Sequence, residues 1–293
     1  IDVLGSNGGG DSTPIRDVHG LSAWLRAQHA ERLAGGVSGD ASGGASGGAS
    51  GGASGGACAV LLTAGPAAGK TTLLSQVVAL SLDAELVPIL VKVQELQRRM
   101  LATPAAFEGA ANYVDVFVGL EHEPPVHRFA RQAMASRRAL LLLDGLDEGG
   151  QLRERIETHV AEVLAPQGHM LLCTSRPAGI DATRFGGFRR LALAPLTDAQ
   201  QRQAAEQRLG AEAAAALLTY VQEKMRLNTE TKERVTANPL MLSMMASVYE
   251  LRRGVDMPST VAALYETASG AMLARGGAGA SDSLRRLLER IFL

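Results

Sequence analysis

The chain has 293 residues, is 46% hydrophobic and carries a formal net charge of −1, which suits a globular protein of one large or two modest domains. Near-neutral charge without a basic stripe, and an aromatic content of only 4%, argue against a nucleic-acid surface built on phosphate neutralisation or base stacking. No apolar run approaches the roughly 18 residues that span a bilayer.

Residues 15–33 place Leu21, Trp24, Leu25 and Leu33 at partly helical spacing, which predicts a helix with Trp24 as its anchor on a neighbouring domain, or else a helix standing outside it. Residues 41–57 repeat Ala-Ser-Gly-Gly, a composition that cannot build a core. It reads as a flexible linker with a span of very roughly 20–25 Å. Residues 1–57 are therefore expected to form a helix-plus-linker segment.

Residues 59–74, AVLLTAGPAAGKTTLL, run from a short apolar strand through a small-residue loop into a helix opened by Lys70-Thr71. That is the order of a P-loop, in which backbone N–H groups and the helix N-terminus cradle phosphates, the lysine adds a point charge and the hydroxyl ligates Mg²⁺. Gly65, Pro66, Ala67, Ala68, Gly69, Lys70, Thr71 and Thr72 are the candidate cofactor-binding residues. The pattern G-x-x-x-x-G-K-[ST] is departed from, since Ala64 stands where the first glycine belongs and Gly65 is displaced by one. If that position needs positive φ, alanine costs roughly 1–2 kcal/mol. Ala67 occupies a second position that is often glycine, and Pro66 removes one N–H donor. Taken alone, the segment also reads as a small-residue turn before an amphipathic helix.

Residues 85–96, ELVPILVKVQEL, predict the next strand, and 126–138 a helix. His122 and His127 flank Pro124-Pro125 and read as loop residues. None of the six histidines has zinc-site spacing.

Residues 140–148, LLLLDGLDE, give an apolar strand suited to burial on both faces of a parallel sheet, with Asp144 emerging at its carboxyl end, where such sheets bind ligands. The alternatives are a solvated acidic turn and a Mg²⁺ and phosphate site. About 75 residues separate Lys70 from Asp144, room for a helix, a strand and a second helix, so the two motifs can be neighbours. Residues 171–177, LLCTSRP, are another apolar strand that would bring Thr174, Ser175 and Arg176 to the same edge. Arg176 is a candidate for neutralising phosphate charge, with a surface salt bridge as the alternative.

From Leu196 onward the pattern becomes helical, with predicted helices at 198–209, 211–224, 239–252 and 259–275. Met241, Met244 and Met245 fall on or near one face and read as core. Residues 282–293 are expected to begin a truncated winged-helix domain. Cys58 and Cys173 read as buried thiols in a reducing, cytoplasmic compartment. No signal peptide is visible. A chain that starts at Ile1 and ends on Ile-Phe-Leu reads as a piece of a longer polypeptide.

The three edge segments together resemble the NACHT family of signal-transduction NTPases, within the STAND group of P-loop proteins. The specific match is Asp144-Gly145-Leu146-Asp147-Glu148, with a small residue after the Mg²⁺-associated aspartate and then an acidic pair. Thr174-Ser175-Arg176-Pro177 is similar to the family's sensor 1. Asn238-Pro239-Leu240 resembles the helical-domain motif whose proline lies against the nucleotide, and Met257-Pro258-Ser259-Thr260 with Leu264-Tyr265 resembles the downstream helical region. The resemblance covers roughly residues 58–275, and the P-loop glycines depart from it.

These readings imply an α/β P-loop NTPase with a three-layer parallel sheet and helices on both faces, at 58–195, then an all-α helical domain at 196–276 and a possible winged-helix start at 277–293. The expected function is a switch that binds ATP (or GTP, with ATP favoured by the resemblance) with Mg²⁺ and hydrolyses it slowly. Lys70 would hold phosphates, Thr71 and Asp144 would organise the metal, Asp147 or Glu148 would orient water, and Arg176 would offset transition-state charge. The resemblance adds Pro239 at the nucleotide, control of domain rearrangement and homo-oligomerisation, partners bound through flanking domains, and signalling in innate immunity or stress. Two rivals are a P-loop kinase acting on a small acceptor and a nucleotide-binding scaffold without turnover.

Overall fold

The computed structural model describes residues 3–5, 15–35, 58–82, 85–181, 183–225, 227, 232–252 and 257–275. The Leu33 side chain and the expected linker and C-terminal segments, 41–57 and 277–293, lie outside the described residues. The chain divides into two compact units, residues 1–194 and 195–293.

Unit 1 is built in chain order from β1 (Val3–Gly5), α1 (Val18–Gly35), β2 (Ala59–Thr63), α2 (Lys70–Ser81), β3 (Val87–Lys92), α3 (Val93–Ala102), α4 (Pro104–Phe107), α5 (Tyr113–Glu121), α6 (Pro124–Ala135), β4 (Ala139–Asp144), α7 (Arg153–His159), β5 (Met170–Ser175) and β6 (Arg189–Leu193). The strand order is β1-β6-β2-β5-β4-β3. Five strands are parallel, and β1 pairs antiparallel with β6. The sheet is therefore mixed rather than purely parallel, because a short strand from outside the α/β repeat closes the β6 edge. β5 lies between β2 and β4, so the two motif strands are next-nearest neighbours whose carboxyl ends share one edge.

Alternation along each strand builds the three layers, since successive side chains point to opposite faces. Leu61, Leu141, Leu143, Leu171 and Cys173 join one buried cluster with α3, α5, α6 and α7. Val60, Leu62, Leu140, Leu142 and Leu172 join the other with α1 and α2. Leu140 to Leu143 are all essentially inaccessible, as a strand covered on both faces requires. Each such side chain contributes on the order of 1.5–3 kcal/mol by burial.

The first helix belongs to this core. Leu21 and Leu25 are buried in the α2-side cluster, and Trp24 packs against it with the Arg189 guanidinium 4.7 Å above its ring. Two sequence-based expectations need correction. The strand predicted for 85–96 ends at Lys92, and Val93, Leu96 and Met100 turn inward from a helix; no glycine or proline marks that change of period. Pro124-Pro125 opens α6 rather than forming a loop, because proline suits the first helical turn. His127 is accordingly helical and lies 2.9 Å from Asp115.

His159 is buried, stacks on Tyr113 at 3.6 Å, and its Nε2 accepts the Tyr113 N–H at 3.0 Å. Burial, reinforced by the Arg155 charge, pushes its pKa down to about 4. Burial likewise raises the Cys58 thiol to about 11 and drives Cys173 upward, so neither is a thiolate near neutral pH.

The described part of unit 2 contains α8 (Asp198–Leu209), α9 (Ala211–Lys224), α10 (Pro239–Arg252) and α11 (Val261–Arg275). Thr197 and Gln200 form a reciprocal capping box on α8. Leu217, Val221, Met241, Met245 and Leu264 make the core, with Met244 packed at its margin. Unit 2 also holds a buried polar pair: Thr236 Oγ1 donates to Gln201 Oε1 at 2.6 Å, and Gln201 Nε2 donates to Leu196 O at 2.8 Å. Asn238 Oδ1 accepts the Leu240 and Met241 N–H groups, which caps the helix that Pro239 begins.

Candidate nucleotide site

β2 passes into α2 through residues 64–69. Ala64 continues the ladder, with its N–H donating to Ser175 O at 3.1 Å, and it is buried. Left-handed backbone occurs at Ala67 (φ 55°) and Gly69 (φ 96°), not at Ala64. A Cβ added at Gly65 would meet nothing within 4 Å. The displaced glycine is therefore not where strain resides. Alanine in the left-handed region costs about 1–2 kcal/mol, and that cost falls on Ala67.

Lys70 curls back over this loop, its Nζ donating to Ala64 O and Gly65 O at 3.1 Å each. Pro66 and Ala67 are exposed, Ala68 is half-buried, and Thr71 and Thr72 lie exposed on the first turn of α2. No side chain caps that turn at Gly69. Its leading N–H groups and the positive end of the helix dipole thus face outward beside the lysine, an arrangement suited to an anion.

Asp144, at the end of β4, is held from two sides. Thr71 Oγ1 donates to Oδ2 at 2.7 Å, and Thr174 Oγ1 from β5 donates to Oδ1 at 2.7 Å. Thr174 is fully buried and also accepts the Gly145 N–H at 2.9 Å. Gly145 has φ 78°, and a Cβ there would lie 3.1 Å from the Glu148 carboxyl carbon. The positive φ favours glycine, whereas the Glu148 contact is with an exposed side chain that can move aside.

The acidic pair after Gly145 divides. Asp147 Oδ1 accepts the Arg176 N–H at 3.1 Å and, weakly, the Ser175 hydroxyl at 3.4 Å, while Oδ2 lies 3.1 Å from Arg176 Nε. A Cβ on Gly179 would fall 2.5 Å from the Asp147 Cβ, so the turn after β5 packs directly on this side chain. Glu148 is exposed, folds back over Gly145, and its carboxylate has no hydrogen-bond partner among the described residues. Arg176, 52% exposed, is engaged with Asp147.

Among the described residues no group of three or more His, Cys, Asp or Glu side chains is placed to hold a metal. A site of that kind suits zinc; Mg²⁺ instead takes one or two protein oxygens plus water and phosphate. Neighbouring ligands of an octahedral Mg²⁺ are about 2.9 Å apart at its usual bond lengths. The 2.7 Å between Thr71 Oγ1 and Asp144 Oδ2 and their hard oxygen character fit that ion.

The structure thus brings Lys70, Thr71, Asp144, Asp147, Glu148, Thr174 and Arg176 to one carboxyl edge. Pro239 belongs to unit 2, at the start of α10. Two participants escaped the sequence reading. The strand pattern puts Thr174 at the edge but does not show its hold on Asp144, for which the strand-end hydroxyl is the only signal. Gly179 gave no signal, since only the packing of Asp147 requires it.

No family model matches the sequence, and no curated protein matches it. Among solved structures the chain is similar to AMPPCP-bound DnaA from Aquifex aeolicus, with a TM-score of 0.38 and 12% identity. The match covers 67% of this chain and 57% of that one. With a superposition this loose, the α/β architecture and its P-loop-type strand, loop and helix rest on the strand order and contacts given above.

Proposed function

We propose that unit 1 is the nucleotide-binding half of a NACHT-type switch that binds ATP (or GTP) with Mg²⁺ and hydrolyses it slowly. The observation that carries this reading is the pair of hydroxyls on Asp144: Thr71 from the P-loop helix on one oxygen and Thr174 on the other. Lys70 leaves the loop carbonyls for phosphate oxygens, and the open first turn of α2 receives the phosphates. Thr71 and Asp144 would hold Mg²⁺, which would supply neutralisation of charge on the phosphate oxygens.

Glu148 orients the attacking water, because it is the exposed carboxylate beside Asp144 and Gly145. Asp147 acts as a positioning residue that ties the Arg176 turn to the acidic cluster. Arg176 is close enough to that cluster to add positive charge as the transition state develops. Pro239 and unit 2 couple nucleotide state to domain rearrangement and oligomerisation, as the family resemblance implies.

Phosphate release from ATP in buffer alone tests the reaction class. Slow release that needs no acceptor and is lost in Glu148→Gln supports the switch. Release only after a hydroxylic acceptor is added points to a kinase, and retention without turnover over hours points to a scaffold.

A further inference from the structure

A groove of about 500 Å³ opens on the α7 side of unit 1. α7 leaves the carboxyl edge after Glu148, and its continuation, Val160–Leu164, is π-helical, a distortion that frequently marks functional sites. Gln151, Arg155, His159 and Val163 recur every four residues, and Glu154 and Thr158 do the same beside them. That spacing brings them to one face, where they line the groove with Tyr113, the first residue of α5.

The start of α5 fixes the imidazole in this groove. Asn112 Oδ1 accepts the Val114 and Asp115 N–H groups, which leaves the Tyr113 N–H for another acceptor. His159 Nε2 supplies it at 3.0 Å. A backbone N–H only donates, so Nε2 is unprotonated and the proton of the neutral ring sits on Nδ1. His159 is 6% exposed and stacked on Tyr113, yet Nδ1 keeps access to the groove and has no hydrogen-bond partner among the described residues. Arg155 is held against the same tyrosine. Its Nε donates to Tyr113 Oη at 3.0 Å and its Nη2 to Phe107 O at 3.2 Å. Two of the five N–H groups of a guanidinium are thus used and three remain, on the edge formed by Nη1 and Nη2. Arg155 has no carboxylate partner among the described residues. Tyr113 Oη accepts from Arg155, so its own hydrogen is free to donate, and the Thr158 hydroxyl has no partner among the described residues either. Four donor groups therefore line a groove whose one carboxylate, Glu154, is 87% exposed and lies 3.5 Å from Arg184 Nη2.

We propose that this groove binds a small molecule carrying a single carboxylate. The open edge of the Arg155 guanidinium matches two carboxylate oxygens in charge and planarity, and the Nδ1–H of His159 and the hydroxyls of Tyr113 and Thr158 supply neutral donors around it. Val163 gives an apolar wall for the rest of the molecule, and the volume lies within the range of small-molecule sites, roughly 300–1,000 Å³. Glu154 repels a second negative charge, which disfavours phosphate and dicarboxylates. None of these residues belongs to the P-loop edge.

The full chain is titrated with butyrate, butanol, succinate and inorganic phosphate while the His159 ring nitrogens are followed by NMR, assigned by their loss in His159→Gln. Butyrate is expected to shift Nδ1 saturably and butanol to leave it unmoved, with succinate and phosphate binding more weakly. Arg155→Gln should weaken butyrate by about tenfold or more and Thr158→Val by about two- to tenfold, the sizes of a charge-assisted and a neutral hydrogen bond. Glu154→Gln should tighten succinate and narrow its gap to butyrate, a gain that damage to folding does not produce. No saturable shift with butyrate, equal binding of butanol or phosphate, an unchanged affinity in Arg155→Gln, or no gain for succinate in Glu154→Gln would overturn the proposal.

Discussion

Thr174 holds Asp144. Its hydroxyl donates to one carboxylate oxygen at 2.7 Å and accepts the Gly145 N–H at 2.9 Å, so a single buried group fixes both the acid and the glycine after it. Thr174→Val keeps the shape, removes the donor and leaves the Gly145 N–H unsatisfied. The expected loss is about 1–3 kcal/mol of stability, read as a fall in Tm, together with weaker Mg²⁺-dependent nucleotide binding. Thr174→Ser should restore most of both, because it returns the hydroxyl.

Asp147 and Arg176 are unequal partners. The aspartate side chain is 9% exposed and accepts a backbone N–H as well as the guanidinium, whereas the arginine is 52% exposed. Arg176→Ala should therefore cost no more than about 1 kcal/mol, as for exposed ion pairs. Asp147→Ala should cost more, about 1–3 kcal/mol, because it strips an acceptor from the turn after β5. Chemical denaturation of the two variants checks the order.

Ala67→Gly should stabilise the chain. Relief of left-handed strain worth about 1–2 kcal/mol is partly offset by the roughly 0.4–1 kcal/mol that glycine adds to unfolded-chain entropy. The net expectation is a gain of about 0.5–1 kcal/mol, read as a shift in the denaturation midpoint. Ala64→Gly should give no such gain, since Ala64 has no positive φ.

Acid should destabilise unit 1 through His159. Its folded pKa of about 4 lies below the unfolded value of 6.5, so the unfolded state binds more protons between these limits and stability falls as pH drops from 6.5 toward 4. Linkage puts this single contribution at roughly 2–3 kcal/mol once pH is near 4. His29 and His169, also depressed by burial, act in the same direction. His159→Gln should flatten the dependence of Tm on pH across that window and leave it little changed above pH 7.

Much of this edge was legible in the sequence because its chemistry is local. Lys70-Thr71 after an apolar strand, four leucines before Asp144, and hydroxyls closing the 171–175 strand each announce an element and the end that carries function. What escaped depended on tertiary packing. The strand–helix change at Lys92–Val93 has no breaker residue. β1 is too short for a periodic signal, and its pairing with β6 is set by contacts between distant residues. The split between Asp147 and Glu148 is invisible in a run of adjacent acids, because it is decided by where the Arg176 N–H and guanidinium fall. The P-loop pattern departs at Ala64, but the left-handed backbone is at Ala67.

Glu148 and Lys70 give the most direct test. Mg²⁺-dependent ATP binding and phosphate release should be measured on the full chain for wild type, Lys70→Ala and Glu148→Gln. Lys70→Ala is expected to lose binding, while Glu148→Gln should bind as wild type does and release phosphate about 10² to 10⁴ times more slowly, the usual contribution of a positioned general base. Equal binding by all three proteins would contradict the assignment of this edge as the nucleotide site.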